Sequence, residues 1–274
     1  MSFHCGRRFD IQDERLREVV RRLLAETTPS LLPLLDDLVL AVSSNFTVLI
    51  TGEIGTGRKS LARLIHDCSP EREQPFEVVP AGSLPGHLVR SELFGNATPL
   101  FGGPDRFFPG KLALARTGTV LLDEVDSFEP DQQAQFIRVI EVGEYEPVGS
   151  SQTHTCQARI MATGPDGLDE AARQGTFSWD FFRRLNVLPL RLPPLRQRVP
   201  DLAPLTRDLT ARLATKFGKE VYDVSPEALT VLERYPWPGN LRQLETAIRQ
   251  AVLVSTGTEL LVPDLPYDIR RAAL

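Results

Sequence analysis

Two kinds of hydrophobic pattern alternate along the first two thirds of the chain. Short apolar runs rich in β-branched residues predict buried strands at residues 46–51, 77–79, 119–123, 159–163 and 187–192. Apolar residues recur at helical spacing between these runs, in residues 58–68, 88–94 and 131–141. Because strands separated by helices imply crossover connections, the pattern predicts an α/β fold with a parallel sheet covered by helices.

The two ends of the chain are predicted to be helical. Amphipathic helices are expected at residues 11–26 and 31–43, before the first strand. The strands stop after Pro193-Pro194, and three helices follow, of which one begins at Ser225-Pro226 with serine as its N-cap. We therefore predict four segments, namely a helical extension (1–28), an α/β domain (29–194), an all-helical domain (195–266) and a C-terminal tail (267–274).

Composition narrows the class of protein. The chain has 274 residues, of which 42% are hydrophobic and 24% charged, which is typical of a globular fold. A net charge of −5 argues against wrapping DNA by bulk electrostatics. The three cysteines (Cys5, Cys68 and Cys156) lack the spacing of a zinc site or a disulfide framework.

No apolar run approaches the roughly 18–20 residues that span a bilayer, and no secretory signal is visible in the sequence. We therefore expect a soluble, cytoplasmic protein without a membrane partner.

A glycine-rich segment follows the first predicted strand and opens a helix, the context of a phosphate-binding loop. Its residues are Gly52, Glu53, Ile54, Gly55, Thr56, Gly57, Arg58, Lys59 and Ser60. Glycines let the backbone curl so that several N–H groups point at one anion, and the helix N-terminus adds partial positive charge. The segment therefore predicts nucleotide binding; the alternative is a tight glycine turn without a ligand.

A pair of acids ends the predicted strand at 119–123. Asp123 and Glu124 lie at the carboxyl end of a buried strand, where open α/β sheets bind ligands. Asp123 can hold the Mg²⁺ that bridges phosphates, and Glu124 can polarise an attacking water. The alternative is a solvated strand end without a catalytic role.

Several longer stretches resemble one family, the AAA+ central domain of sigma-54-dependent transcriptional activators, or bacterial enhancer-binding proteins. They are TVLITGEIGTGRKSLARLIH, SELFG, GTVLLDEVDSF, FIRVIEVGEYEPVGSSQ, RRLNVLPLRLPPLRQR and YPWPGNLRQLE. The resemblance implies a P-loop AAA+ domain with a helical lid, and ATP and Mg²⁺ as cofactors. It also implies a ring, usually a hexamer, built with itself or a related AAA+ subunit, and sigma-54 RNA polymerase as the partner.

The resemblance assigns roles residue by residue. Asp123 matches the family's metal-binding acid and Glu124 its water-activating acid. Arg184 matches one of two arginines that reach into the neighbouring subunit's site, and Arg242 matches the lid arginine that senses nucleotide. The alternatives are a surface salt bridge for Arg184 and a solvent contact for Arg242.

Four positions depart from the family pattern within this site. Arg58 replaces the phosphate-loop lysine, and Pro80 replaces the asparagine that holds the catalytic glutamate in check. Gly164 stands where the family has a polar sensor, and Ser178 where the first trans-acting arginine is expected. Arginine keeps the charge of lysine but not its shape, so the first replacement is not conservative.

The loop that touches the sigma factor is also changed. The family carries Gly-Ala-Phe-Thr-Gly-Ala, whereas the partner loop here is Leu100, Phe101, Gly102 and Gly103, bracketed by Pro99 and Pro104. Phe107 and Phe108 are expected to be core residues beneath this loop. No segment of this sequence resembles a helix-turn-helix motif, so no direct DNA binding is expected.

Two hypotheses remain. The favoured one is an ATP-binding AAA+ module that regulates transcription, with hydrolysis slow or lost. The alternative is a fully active ATPase that remodels sigma-54 RNA polymerase holoenzyme. An unrelated P-loop kinase or transferase conflicts with the lid motif Trp237-Pro238-Gly239-Asn240.

Overall fold

The computed structural model describes residues 14–97 and 108–272. The α-helices are α1 (Glu14–Thr27), α2 (Leu35–Ser43), α3 (Arg58–Asp67), α4 (Gly86–Phe94), α5 (Lys111–Leu114), α6 (Pro130–Val142), α7 (Leu168–Arg173), α8 (Trp179–Leu185), α9 (Val199–Phe217), α10 (Pro226–Arg234), α11 (Asn240–Val254) and α12 (Tyr267–Ala272). The strands are β1 (Val48–Gly52), β2 (Phe76–Pro80), β3 (Gly95–Asn96), β4 (Phe108–Pro109), β5 (Thr119–Asp123), β6 (Glu144–Tyr145), β7 (His154–Thr155), β8 (Arg159–Gly164), β9 (Leu188–Leu192), β10 (Asp223–Val224) and β11 (Glu259–Leu260).

Five strands form one sheet in the order β2-β5-β8-β1-β9. The pairs β2–β5, β5–β8 and β8–β1 are all parallel, so their carboxyl ends meet at one edge. In β5, Val120, Leu121 and Leu122 are each 0% exposed, which shows that this strand is covered on both faces. The predicted α/β class with a parallel sheet and covering helices is confirmed.

The chain divides into two compact units. The first comprises Asp37–Thr51 and Arg58–Arg191, and its core joins the sheet to the helices that cover it. Phe136 and Phe181, which are both 0% exposed, meet edge to face in that core with ring centroids 6.1 Å apart.

The second compact unit comprises Glu14–Asp36, Gly52–Gly57 and the chain from Leu192 onward. Its core surrounds Trp237, which is fully buried and donates its Nε1–H to the carbonyl of Leu232 at 2.8 Å. Ser225 caps α10 as predicted, since its Oγ accepts a hydrogen bond from the Ala228 N–H at 3.1 Å. Helices therefore dominate the lid, as the sequence predicts.

Some local structure departs from the sequence predictions. The helical lid also contains a two-residue parallel pair, β10 with β11, and the predicted tail carries α12, whose Ile269 is buried. The helix predicted at 31–43 begins instead as a 3₁₀ helix, Pro29–Leu34. Pro33 inside that turn disfavours α-helical backbone at the residue that precedes it.

The expectation that Phe108 lies in the core is wrong. Phe108 is 60% exposed, because β4 pairs with β3 in a separate two-stranded ribbon and not in the five-stranded sheet. Phe107 lies outside the described residues. No helix within 14–97 or 108–272 is long and apolar enough to span a bilayer.

Candidate functional site

The glycine-rich loop follows β1 and leads into α3, as predicted. Gly55 and Gly57 have φ of +83° and +98°, which glycine adopts without steric cost. A Cβ at Gly55 would lie 2.5 Å from the carbonyl oxygen of Gly239, and the Gly55 carbonyl accepts a hydrogen bond from the Leu241 N–H at 2.8 Å. Both the left-handed backbone and the close approach to the start of α11 therefore require glycine at position 55.

Asn240 connects this loop to the start of α11. Its side chain is fully buried, and its Nδ2 donates to the Glu53 carboxylate at 3.1 Å and to the Ile54 carbonyl at 3.0 Å. Its Oδ1 accepts from the Leu195 N–H at 2.8 Å. The sequence showed Asn240 only as part of the lid motif, because nothing local to that motif reveals contacts with residues so distant in the chain.

The acid pair lies at the end of β5, where a neighbouring hydroxyl organises it. The Thr163 Oγ1–H donates to the Asp123 carboxylate at 2.6 Å, and the Glu124 N–H donates to the same Oγ1 at 3.0 Å. Thr163 is fully buried on β8, and the register that pairs Leu122 with Ala162 brings it beside Asp123. Thr163 was not among the predicted site residues, and a polar residue at the end of the next strand is the signal that could have found it.

Glu124 has an unusual backbone. Its φ of +62° and ψ of +59° lie in the left-handed region, which non-glycine residues adopt at a cost of about 1–3 kcal/mol. Its side chain is 33% exposed and lies against Gly82, where any Cβ would overlap the carboxylate. The fold thus holds a partly solvated carboxylate in a fixed place, as a general base requires.

Arg58 begins α3 and is directed into the first compact unit. It is 7% exposed, its guanidinium donates to the carbonyl of Gly164, and its Nη2 lies 4.0 Å from the Glu124 carboxylate. Lys59 and Ser60, the next two residues of the predicted set, are exposed. The structure therefore brings Arg58 together with Glu124 and with the position of the family's polar sensor.

Arg184, which was predicted to act between subunits, makes its contacts within this chain. The Arg184 Nε–H donates to the Glu141 carboxylate at 2.7 Å, and its Nη1 donates to the Asp180 carbonyl at 2.9 Å. Ser178 caps α8, since its Oγ accepts from the Phe181 N–H at 3.2 Å. Arg242 is exposed in the first turn of α11. The partner loop of Leu100, Phe101, Gly102 and Gly103 lies outside the described residues.

The donor set at Asp123 suits a magnesium ion that arrives with phosphates. Within the described residues, no group of three or more histidine, cysteine, aspartate or glutamate side chains could hold a metal ion alone. Magnesium in nucleotide sites is usually bound by one or two carboxylates together with water and phosphate oxygens. A single carboxylate at Asp123 fits that mode and does not fit a dedicated metal site.

Two family models match the chain in succession. Residues 24–191 match the sigma-54 interaction domain, and residues 196–274 match the AAA+ ATPase lid domain. The chain belongs to the sigma-54 interaction domain family. This assignment confirms the resemblance drawn from the sequence motifs.

The related proteins are named as transcriptional regulators. This chain is 37% identical over 242 residues to the transcriptional regulatory protein ZraR of Klebsiella oxytoca, and the match covers 88% of this chain and 55% of that protein. It is 38% identical over 209 residues to the DNA-binding transcriptional regulator NtrC of Rhizobium meliloti, covering 76% of this chain and 43% of that protein. The chain thus spans about half the length of these relatives.

A solved structure of the same architecture contains nucleotide. NtrX from Brucella abortus in complex with ATP superposes with a TM-score of 0.79 at 27% identity. The match covers 92% of this family member and 57% of that chain. It supports the AAA+ fold independently of the sequence motifs.

Proposed function

We propose that this family member is an AAA+ module that binds ATP with magnesium, hydrolyses it slowly or not at all, and takes part in regulating sigma-54-dependent transcription. The contact that carries the proposal is the one between Arg58 and the Gly164 carbonyl. This contact directs the guanidinium of Arg58 toward the Gly164 carbonyl and the Glu124 carboxylate.

Nucleotide binding is supported by the geometry of the loop. The left-handed glycines at 55 and 57 allow the backbone to curl between β1 and α3, and α3 begins directly after the loop. The N–H groups of such a turn and the positive end of the following helix attract phosphate. Asp123 would hold the accompanying Mg²⁺, with Thr163 fixing the orientation of its carboxylate. NtrX, a structural relative, was solved with ATP.

Slow hydrolysis is supported by the groups around Glu124. Phosphoryl transfer depends on cations that stabilise charge developing on the γ-phosphate. Arg58 donates to the Gly164 carbonyl, and Ser178 supplies a hydroxyl cap where the family pattern has an arginine. Pro80, at the end of β2, has neither an amide side chain nor a backbone N–H to offer Glu124. Glu124 and Asp123 are both retained, so the losses fall on charge stabilisation and on the side-chain partner of Glu124.

The partners follow from family membership. We infer assembly with further copies of this chain or with a related AAA+ subunit, as a ring, and an action on sigma-54 RNA polymerase. The side chains of the Arg184–Glu141 ion pair are 29% and 47% exposed, and an ion pair between partly exposed groups contributes little stability. A neighbouring subunit could therefore replace Glu141 as the partner of Arg184 at little cost. Arg184 therefore remains the candidate trans-acting residue.

Thermal unfolding with and without nucleotide, beside a turnover assay, tests the proposal. Nucleotide at about 100 times its Kd should raise the free energy of unfolding by about 2.7 kcal/mol. Asp123→Asn should lose the part of this gain that depends on magnesium. Phosphate release should be slow in the unmodified protein and faster in Arg58→Lys, which returns the usual cation to the loop.

Two results would decide against the proposal. Absence of any stabilisation at millimolar nucleotide would exclude ATP binding. Rapid turnover by the unmodified protein would instead favour the alternative, a fully active ATPase that remodels sigma-54 holoenzyme.

A further inference from the structure

The loop residue Glu53 is held by an ion pair with two hydrogen bonds. Arg196 donates from Nη2 to Glu53 Oε1 at 2.6 Å and from Nη1 to Oε2 at 3.0 Å. Asn240 adds a third donor to the same carboxylate at 3.1 Å. The Arg196 hydrogen bonds, followed by the Asn240 hydrogen bond, lower the pKa of Glu53 to about 2. The carboxylate is therefore ionised at every pH near neutrality.

The loop backbone also accepts hydrogen bonds, at three successive carbonyls. The carbonyl of Ile54 accepts from Asn240 at 3.0 Å, that of Gly55 from the Leu241 N–H at 2.8 Å, and that of Thr56 from Arg198 at 3.3 Å. All of these donors belong, like the loop, to the second compact unit. Three successive carbonyls are thus fixed on one side.

Fixing the carbonyls also fixes the N–H groups. In a planar trans peptide, the C=O of one residue and the N–H of the next point in opposite directions. The N–H groups of Gly55 and Gly57 must therefore point away from the donors that hold the carbonyls of Ile54 and Thr56. This is the arrangement that turns a loop into a concave anion site.

Glu53 itself opposes the binding of an anion. A carboxylate within a phosphate-binding loop repels phosphate unless a nearby cation cancels its field. Arg196 contacts both carboxylate oxygens and supplies that cation. The pair is also the first of the contacts that hold the loop backbone, since Asn240 joins it to the Ile54 carbonyl.

We propose that Glu53 is a positioning residue for the phosphate loop, and that Arg196 both anchors it and neutralises it so that the loop accepts a nucleotide phosphate. This inference rests on the proposed nucleotide binding. It assigns to Arg196 a role in affinity without direct contact with the ligand.

The two roles of Arg196 predict unequal effects of single substitutions. Arg196→Met leaves an unneutralised carboxylate beside the phosphate, and should weaken Mg-ADP affinity by up to about fivefold. Glu53→Gln removes the charge, keeps an acceptor for Asn240 and should cost less. The double variant Glu53→Gln/Arg196→Met should therefore bind ADP more tightly than Arg196→Met alone, which isothermal titration calorimetry can measure.

Two further variants sharpen the test. Arg196→Lys keeps the charge but loses the two-pronged geometry, so it should retain most of the affinity. Arg207→Met breaks another exposed ion pair of the same unit, with Asp223, and should leave affinity unchanged. Thermal unfolding without nucleotide shows that each variant is folded.

The possible failures are distinguishable. Equal losses in Arg196→Met and Glu53→Gln, with no recovery in the double variant, would overturn the inference while nucleotide binding stands. A large loss in Arg196→Lys would refute the neutralising role. Absence of ADP binding by the unmodified protein would overturn the proposed function and this inference together.

Discussion

Glu124 occupies a backbone conformation that disfavours its own side chain. Its φ is +62°, and the carboxylate lies in a space that exists because residue 82 is glycine. Left-handed backbone costs a residue with a Cβ about 1–2 kcal/mol relative to glycine. The position therefore retains an acid at the expense of stability, as expected where a side chain has a chemical task.

Substitution of Glu124 should reveal this strain. Glu124→Gly should be more stable than Glu124→Ala by about 1 kcal/mol, because only glycine adopts the native φ freely. Chemical denaturation of both variants measures the difference. At Asp131, in the first turn of α6, the order should reverse because alanine favours a helix. Equal stability of the two variants at 124 would show that the backbone there is not strained.

The sequence identified some of the residues at this site and not others. Asp123 and Glu124 could be predicted because the end of an apolar strand is visible in the pattern. Thr163 had only one signal, its position as a polar residue at the end of the next strand, because its contact depends on strand register. Asn240 had none, since its contacts join chain segments far apart. The contact of Arg58 with the Gly164 carbonyl spans 106 positions and has no local signal either.

At the scale of elements, longer strands could be predicted from the sequence and two-residue strands could not. Strand β5 has the predicted bounds, Thr119–Asp123, because three consecutive apolar residues between a β-branched threonine and an acid leave little ambiguity. The two-residue strands β3, β4, β10 and β11 were not predicted, since so short a segment has no periodicity. The exposure of Phe108 was missed for the same reason, because its partner strand β3 could not be recognised in the sequence.

At the start of helix α8, stability can be compared with the intersubunit role proposed for position 178. Ser178→Arg should lower the free energy of unfolding by about 1 kcal/mol, because it removes the N-cap of α8. The same change should raise ATP turnover at concentrations that favour assembly, since it supplies the missing arginine. Denaturation and turnover measured on one preparation test both parts.

A serine cap in the lid serves as the control for α8. Ser225→Ala at the start of α10 should give a similar loss of stability without a change in turnover. If Ser178→Arg raised turnover no more than Ser225→Ala did, position 178 would not lie in a trans-acting site.

At the scale of the whole molecule, the chain spans about half the length of ZraR and NtrC. The segment expected to touch sigma-54 lies outside the described residues, so its role stays a prediction from sequence. In the sequence, the family loop's hydroxyl residue is replaced by Gly102, and Pro99 and Pro104 bracket the loop with residues whose φ is restricted and which lack a backbone N–H.

Sigma-54-dependent open-complex formation should accordingly be absent or very weak with this protein and ATP. The measurement is open-complex yield on a sigma-54 promoter with duplex DNA that has not been pre-melted. A variant with Gly102→Thr should recover part of the yield if the hydroxyl is what is missing, whereas Leu100→Ala should not. Robust open complexes with the unmodified protein would contradict the prediction.

The contact between Arg58 and Gly164 makes single substitutions toward the family residues costly in stability. Arg58→Lys alone removes a donor from a buried carbonyl, which costs about 1–3 kcal/mol. Gly164→Asn alone places a Cβ 3.0 Å from Leu168 Cδ2, so that side chain must move first. Substitutions at touching residues are not additive. The two positions are thus coupled, and each single return to the family residue should leave the protein less stable than it is with Arg58 and Gly164 together.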